Sequence, residues 1–169
     1  HMTPFEMAGM TIEVAAPIFV FREWHRHRVP FGYNEMSARY IPLPNENYVP
    51  TLERLKLAGG TNKQAQSVTP LAPDDLLESW IDALGRLYKQ AETIYQTGLA
   101  YGIPKEVAQL PVPVARYSRM RATANLRGWL AFLTLRMAPN AQWEIRQYAN
   151  AVGEIIEESI PRTWRLFRL

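Results

Sequence analysis

The longest helical pattern in the chain runs from residue 72 to 102, APDDLLESWIDALGRLYKQAETIYQTGLAYG, and it meets no proline between Pro73 and Pro104. Such a segment commits the chain to one long amphipathic helix, with Asp74 or Asp75 as its N-cap and Gly102 as its stop. Its apolar positions need cover, either inside the fold or between copies of the chain. Around it the hydrophobic period changes. Residues 10–18 (MTIEVAAPI) and 114–125 (VARYSRMRATAN) alternate apolar and polar side chains and read as strands. LRGWLAFLTLRMA and AQWEIRQYANAVGEIIEESI read as two more helices, and the tail packs Trp164 and Phe167.

Proline and glycine divide the rest. Pro17 suits the first turn of a helix, PIFVFREWHRHR, which turns Ile18, Phe19, Phe21 and Trp24 to a core and ends near Val29-Pro30. Gly32 reads as loop. MSARYIPLP reads as irregular or short strand, and Pro42, Pro44 and Pro50 keep the segment to residue 50 extended. A short helix after residue 51 is expected to stop at Gly59-Gly60, before a polar loop in which Lys63 and Gln64 are candidates to touch a ligand of a neighbouring subunit. PKEVAQLP gives a brief helix stopped by Pro111 and Pro113. The outcome is an α/β (α+β) mixture with too few strands for a doubly wound sheet. No GxGxxG or P-loop is present to support a common nucleotide fold.

The 169 residues suffice for one domain with its own core, at 47% hydrophobic and 21% charged residues. No apolar run approaches a membrane span, and the start carries no signal-peptide pattern. Cysteine is absent, which removes disulfides, thiolate metal sites and thiol nucleophiles from this chain and fits a cytoplasmic protein. The net charge is +3, mostly from arginine. Arginine favours bidentate recognition of phosphate or carboxylate. Charge alone does not separate a nucleotide from a nucleic acid.

The chemistry concentrates in REWHRHRVPFGYNEMSARY, residues 22–40, where six of nineteen residues are Arg or His. Arg26, His27 and Arg28 are consecutive, so about 100° separates each from the next on a helix. At a helix end they can fan around two adjoining ligands. Glu35, Ser37 and Arg39 follow on nonhelical backbone, which can also present N–H groups to an anion. Arg127 and Arg136 stand at the two ends of a later helix. An isolated surface arginine is ordinarily solvated or in a weak ion pair; the density sets this cluster apart. His25 and His27 lie two apart beside Glu23, the wrong spacing for ligands on one helix face, so no metal is assigned. The five tryptophans read as core, and Tyr33, Tyr40 and Tyr48 as core or loop anchors.

RHR…NEMSARY resembles the signature of the flavin-dependent thymidylate synthases, Arg-His-Arg, seven residues, then Ser. TPFEMAGMTIEVAAPIFVFREWHRHR resembles the strand and helix before that signature, and NLRGWLAFLTLRMAPNAQWEIRQYA the flavin-binding C-terminal helices. The resemblance implies one such domain over residues 1–169, without the family's usual N-terminal portion, in a homotetramer whose sites combine residues of different subunits. It implies C5-methylation of a uridine nucleotide with reduced FAD as hydride source, methylenetetrahydrofolate as carbon donor and NADPH as reductant of the flavin. That chemistry suits a chain without cysteine, because the other thymidylate synthase class adds a thiolate to the uracil ring.

Carried over by position, Thr3, Glu6, Arg26, His27, Arg28, Val29, Asn125, Arg127, Leu135 and Asn140 fall at flavin-binding positions. Glu23, Arg26, Glu35, Ser37, Ala38, Arg39, Gln109 and Arg136 fall at nucleotide-binding positions. Arg136 is the catalytic candidate, matching an arginine at the uracil ring. Ser37 takes a binding role, since no base is evident to activate it. The chain also departs from the family. Eight residues, not seven, separate Arg28 from Ser37. Glu23 replaces a common Gln, Gln109 a phosphate-gripping Arg, Asn140 a frequent His and Ala131 an Asn. Losing the arginine removes a charge-assisted bond worth roughly 1.5–3 kcal/mol, which Arg116 or Arg119 are candidates to replace. These departures imply altered nucleotide recognition, with UMP accepted alone or beside dUMP, as in the methylases of polyoxin-type antibiotic pathways. Two rival readings remain: a homologue that binds flavin or nucleotide without turnover, and a basic nucleic-acid-binding module.

Overall fold

The computed structural model describes residues 2–57 and 71–169. The expected stop at Gly59-Gly60 and the candidates Lys63 and Gln64 lie outside them. Ten regular elements follow a 3₁₀ turn at Thr3–Glu6: β1 (Gly9–Pro17), α1 (Ile18–Trp24), β2 (Gly32–Glu35), α2 (Leu52–Lys56), α3 (Asp74–Ala100), α4 (Lys105–Ala108), β3 (Tyr117–Asn125), α5 (Leu126–Arg136), α6 (Trp143–Ser159) and α7 (Pro161–Phe167). The strands form a small antiparallel sheet in the order β1-β3-β2. Thr11 lies opposite Thr123, their hydroxyls 2.8 Å apart, and Glu13 opposite Arg121. Along β3, Ser118, Met120, Ala122 and Ala124 are buried while Arg119, Arg121 and Thr123 are exposed, the period-two pattern of a sheet with one covered face.

The chain divides into two compact units: His1–Val14 with Val20–Asn34 and Met120–Leu169, and Ala15–Phe19 with Glu35–Arg119. The first unit is built on aromatic rings. Trp24 and Trp129 are fully buried, and Trp24 stacks on Phe132 with ring centroids 4.9 Å apart. The Trp129 indole donates to the Met10 carbonyl at 3.0 Å. Helix α6 buries Ile145, Ala149, Val152 and Ile156. Its Gly153 is required by α7, because a Cβ there would stand 2.6 Å from the Trp164 ring.

In the second unit α3 buries Leu77, Tyr88, Ala91 and Tyr95, and α2 and α4 pack against it. Arg116 is fully buried there. Its guanidinium donates to Asn47 Oδ1 at 3.2 Å, the Pro44 carbonyl at 3.0 Å and Glu92. A buried charge so completely paired is a structural tie whose disruption strands its partner.

Several boundaries differ from the sequence reading. Helix α1 ends at Trp24, so Arg26, His27 and Arg28 lie beyond it. The apolar period stops at Trp24, and the Tyr33 hydroxyl, 2.9 Å from the Trp24 carbonyl and 2.7 Å from that of His27, shares its one proton between oxygens a longer helix would have used. Pro17 closes β1 instead of opening the helix. Gly32 starts β2 instead of a loop, passing so close to β3 that a Cβ would stand 3.1 Å from the Thr123 methyl. Asp74 and Asp75 occupy the first turn of α3, and the cap position is Pro73, without a side-chain bond. The two carboxylates still favour the positive end of the helix. Gly102 stops α3 as expected, with φ at 75°. Among the described residues, no helix is long and apolar enough to cross a membrane.

Candidate active site

In the first unit the C-terminal end of α5 delivers Arg136 to the segment after α1. Its Nε–H donates to His27 Nε2 at 2.8 Å, Nη1 to Glu23 Oε2 at 2.8 Å and Nη2 to the Glu23 carbonyl at 2.9 Å. The Arg136 side chain is 14% exposed. Arginine only donates, so His27 Nε2 must accept and the imidazole is neutral with its proton on Nδ1. The His27 pKa is lowered to about 4, chiefly by burial and then by Arg136, with Glu23 opposing and Arg26 adding a smaller push downward. The His27 ring rests edge-on against Phe132, 4.9 Å between centroids. Burial also pushes the Tyr33 hydroxyl well above the usual phenol range, which keeps its proton available to the carbonyls it serves.

The other end of α5 bears a second group. Asn125 caps the helix, its Oδ1 accepting the Gly128 N–H at 3.0 Å. Arg127 pairs with Glu6 of the 3₁₀ turn. Glu6, Arg127 and Asn125 line a cavity of about 410 Å³ with Val29, Pro30, Gly128 and Ala131. Gly128 is there of necessity, since a Cβ would meet Pro30 at 2.5 Å. Thr3, Arg26, Arg28, Leu135 and Asn140 are exposed and do not line this cavity.

In the second unit the segment after β2 forms one wall of a cavity of about 340 Å³, with Glu35, Met36, Ser37 and Ala38. Gln109 and Ser118 supply the polar remainder, and Ile18 and Leu43 the apolar. The backbone bends here because Ser37 Oγ accepts the Arg39 N–H at 3.3 Å and the Ser37 carbonyl accepts those of Tyr40 and Ile41. Arg39 does not line the cavity; its Nε pairs with Glu106 at 3.2 Å, both side chains more than half exposed. Neither arginine considered as a substitute for one at Gln109 serves within this unit. Arg116 is spent in the core, and Arg119 projects from the exposed face of β3. Ser118 escaped the sequence reading, although it is the one hydroxyl on the buried face of β3, among Met120, Ala122 and Ala124. Among the described residues no group of three or more His, Cys, Asp or Glu is placed to hold a metal.

Comparison with known proteins adds a family to this geometry. The family described as thymidylate synthase complementing protein matches residues 1–162. A flavin-dependent thymidylate synthase of Thermotoga neapolitana is 37% identical over 99% of this chain and 70% of its own length. One from Thermus thermophilus is 38% identical, over 99% of this chain and 59% of its own length. The chain belongs to the flavin-dependent thymidylate synthase family. Its fold also matches that of the UMP/dUMP methylase PolB from Streptomyces cacaoi. In that protein's structure with 5-Br UMP the TM-score is 0.86 at 34% identity, over 99% of this chain and 77% of the other. In its structure with 5-Br dUMP the TM-score is 0.87 at 33% identity, over 99% and 75%. In this family member the signature is therefore divided: Arg26, His27, Arg28 and Val29 belong to the unit of Arg127 and Arg136, and Glu35 to Arg39 to the unit of Gln109.

Proposed function

We propose that this chain catalyses flavin-dependent C5-methylation of a uridine nucleotide, UMP, dUMP or both, with methylenetetrahydrofolate giving the carbon and NADPH reducing the flavin. The observation that carries the reading is the Arg136 clamp. Of its five N–H donors, His27 and Glu23 take three. Two remain for a ligand, on a guanidinium already fixed in orientation. Donated to a uracil carbonyl oxygen, they stabilise negative charge as C5 becomes nucleophilic, without the reorganisation that a mobile side chain requires. Neutral His27 holds Arg136 without adding a competing positive charge.

The cavity at the start of α5, about 410 Å³, suits one portion of FAD. Arg127 and the N-terminus of an eleven-residue helix suit an anionic phosphate, and Val29, Pro30 and Ala131 give an apolar wall. Reduced FAD, when bound, supplies the hydride that completes the methyl group. By family position Thr3, Glu6, Arg26, Arg28, Asn125, Leu135 and Asn140 contribute to the same binding. Glu35, Ser37, Ala38 and Gln109 offer a nucleotide hydrogen bonds from the other unit, joined by family position by Glu23, Arg26 and Arg39. We further propose a cytoplasmic homotetramer that combines the two sets from different copies. Helix α3 and its C-cap support an interface, since Trp80, Leu87, Ile94 and the capping Tyr101 recur every seventh residue and are each at least half exposed.

Anaerobic absorbance of the protein loaded with reduced FAD tests this reading. The flavin should reoxidise when nucleotide and methylenetetrahydrofolate are both present, and with neither alone. Flavin bound but never reoxidised would instead favour a homologue that binds without turnover, a reading to which the cation-free lining of the Gln109 cavity lends some support.

A further inference from the structure

Ser118 stands apart from every other hydroxyl in the second unit's cavity. The residue is 1% exposed, and its Oγ has no hydrogen-bond partner among the described residues. A buried hydroxyl left unpaired costs roughly 1–3 kcal/mol, so native chains seldom keep one without use. Its neighbours on the same face of β3 are Met120, Ala122 and Ala124, and an alanine at 118 would continue that face at no polar cost. Yet Ser118 lines the cavity together with Ser37 and Gln109.

Those three side chains define what the cavity can take. Each offers an N–H or O–H; among the described residues the lining also holds one acidic residue, Glu35, and no cation. Of the arginines beside Ser118 in the sequence, Arg116 is fully buried and held by Glu92, Asn47 and Pro44, and Arg119 lies on the exposed face of β3. An ionised phosphate, such as the proposed nucleotide carries, accepts from several neutral donors at once and offers none itself. We infer that Ser118 is a substrate-binding residue whose Oγ–H donates to the nucleotide's phosphate, sharing with Ser37 and Gln109 the work that a positive side chain does elsewhere. The inference rests on the proposed nucleotide reading and adds to it a residue that the family signature does not contain.

The two states of the protein then respond to Ser118→Ala in opposite directions. The ligand-free protein loses an unsatisfied buried group, so its melting temperature should stay level or rise. UMP and dUMP should bind about tenfold more weakly or worse, the usual loss for a hydrogen bond to a charged group. Uridine, which lacks the phosphate, should bind the variant and the parent alike. Isothermal titration of the FAD-loaded protein with all three ligands reads these effects. Ser118→Cys, close in shape and a weak donor, is run beside it and should fall between the two. Unchanged UMP affinity in folded Ser118→Ala or Ser118→Cys protein would overturn the Ser118 assignment and leave the nucleotide reading standing. An equal loss for uridine would move the contact off the phosphate and overturn it as stated. If the parent itself binds neither UMP nor dUMP, the nucleotide reading fails and takes this inference with it.

Discussion

The candidate site residues of the two units are held in opposite ways. In the first, Arg136, Glu23 and His27 satisfy one another before any ligand arrives. In the second, Ser118 is buried with no bond from its hydroxyl among the described residues, and Gln109 turns its amide to the Glu106 carbonyl at 3.3 Å. On the proposed reading, one unit holds a group that must act in a fixed direction and the other holds donors that await an acceptor. Preorganisation belongs where charge develops during the reaction. Binding groups tolerate an unsatisfied resting state, because the ligand itself completes them.

Breaking the clamp should cost most. Arg136→Lys keeps the charge and loses the fork, so it cannot meet His27 and both Glu23 oxygens together. Turnover should fall by about a hundredfold or more, measured as kcat with nucleotide saturating. A loss confined to KM would mean that Arg136 only binds. Packing around the first cavity comes next. Gly128→Ala drives a methyl against Pro30 and should destabilise the fold by about 1–3 kcal/mol in denaturant titration.

The protonation of His27 sharpens the contrast further. Its folded pKa of about 4 lies below the ordinary 6.5, so the unfolded chain binds the proton more readily. The native clamp is therefore fully favoured above pH 6.5, and its advantage is lost as pH falls from there through 4. The melting temperature should drop over that window. His27→Gln, which can still offer an oxygen to Arg136, should flatten the drop; an unchanged slope would assign it to other groups. The smallest effect belongs to the exposed pair in the second unit. Arg39→Ala should alter stability by less than about 0.5 kcal/mol in the same titration, because solvent screens its contact with Glu106.

How much of this was legible in the sequence follows from the range of each interaction. Local period gave β1, β3, α3, α5 and α6, since each carries its pattern over nine residues or more. Strand β2 was missed because GYNE has no apolar alternation and pairs only through its backbone. The end of α1 was missed because the group that terminates it, Tyr33, lies nine residues on from Trp24. Within the site, the RHR block and Arg136 were singled out, and His27 and Arg136 do meet, across 109 residues. Composition gave no sign that Arg116 is a core tie or that Arg39 leans on Glu106, since a charge does not announce its partner. Ser118 carried the faintest signal, a single hydroxyl on an otherwise apolar strand face.

The most direct measurement is mass spectrometry of UMP and dUMP after separate anaerobic incubations with the FAD-loaded protein, NADPH and methylenetetrahydrofolate deuterated at its methylene carbon. The account predicts a nucleotide heavier by that carbon with both deuterons retained in a C5-methyl group. Unaltered UMP and dUMP, with flavin bound and reduced throughout, would contradict it.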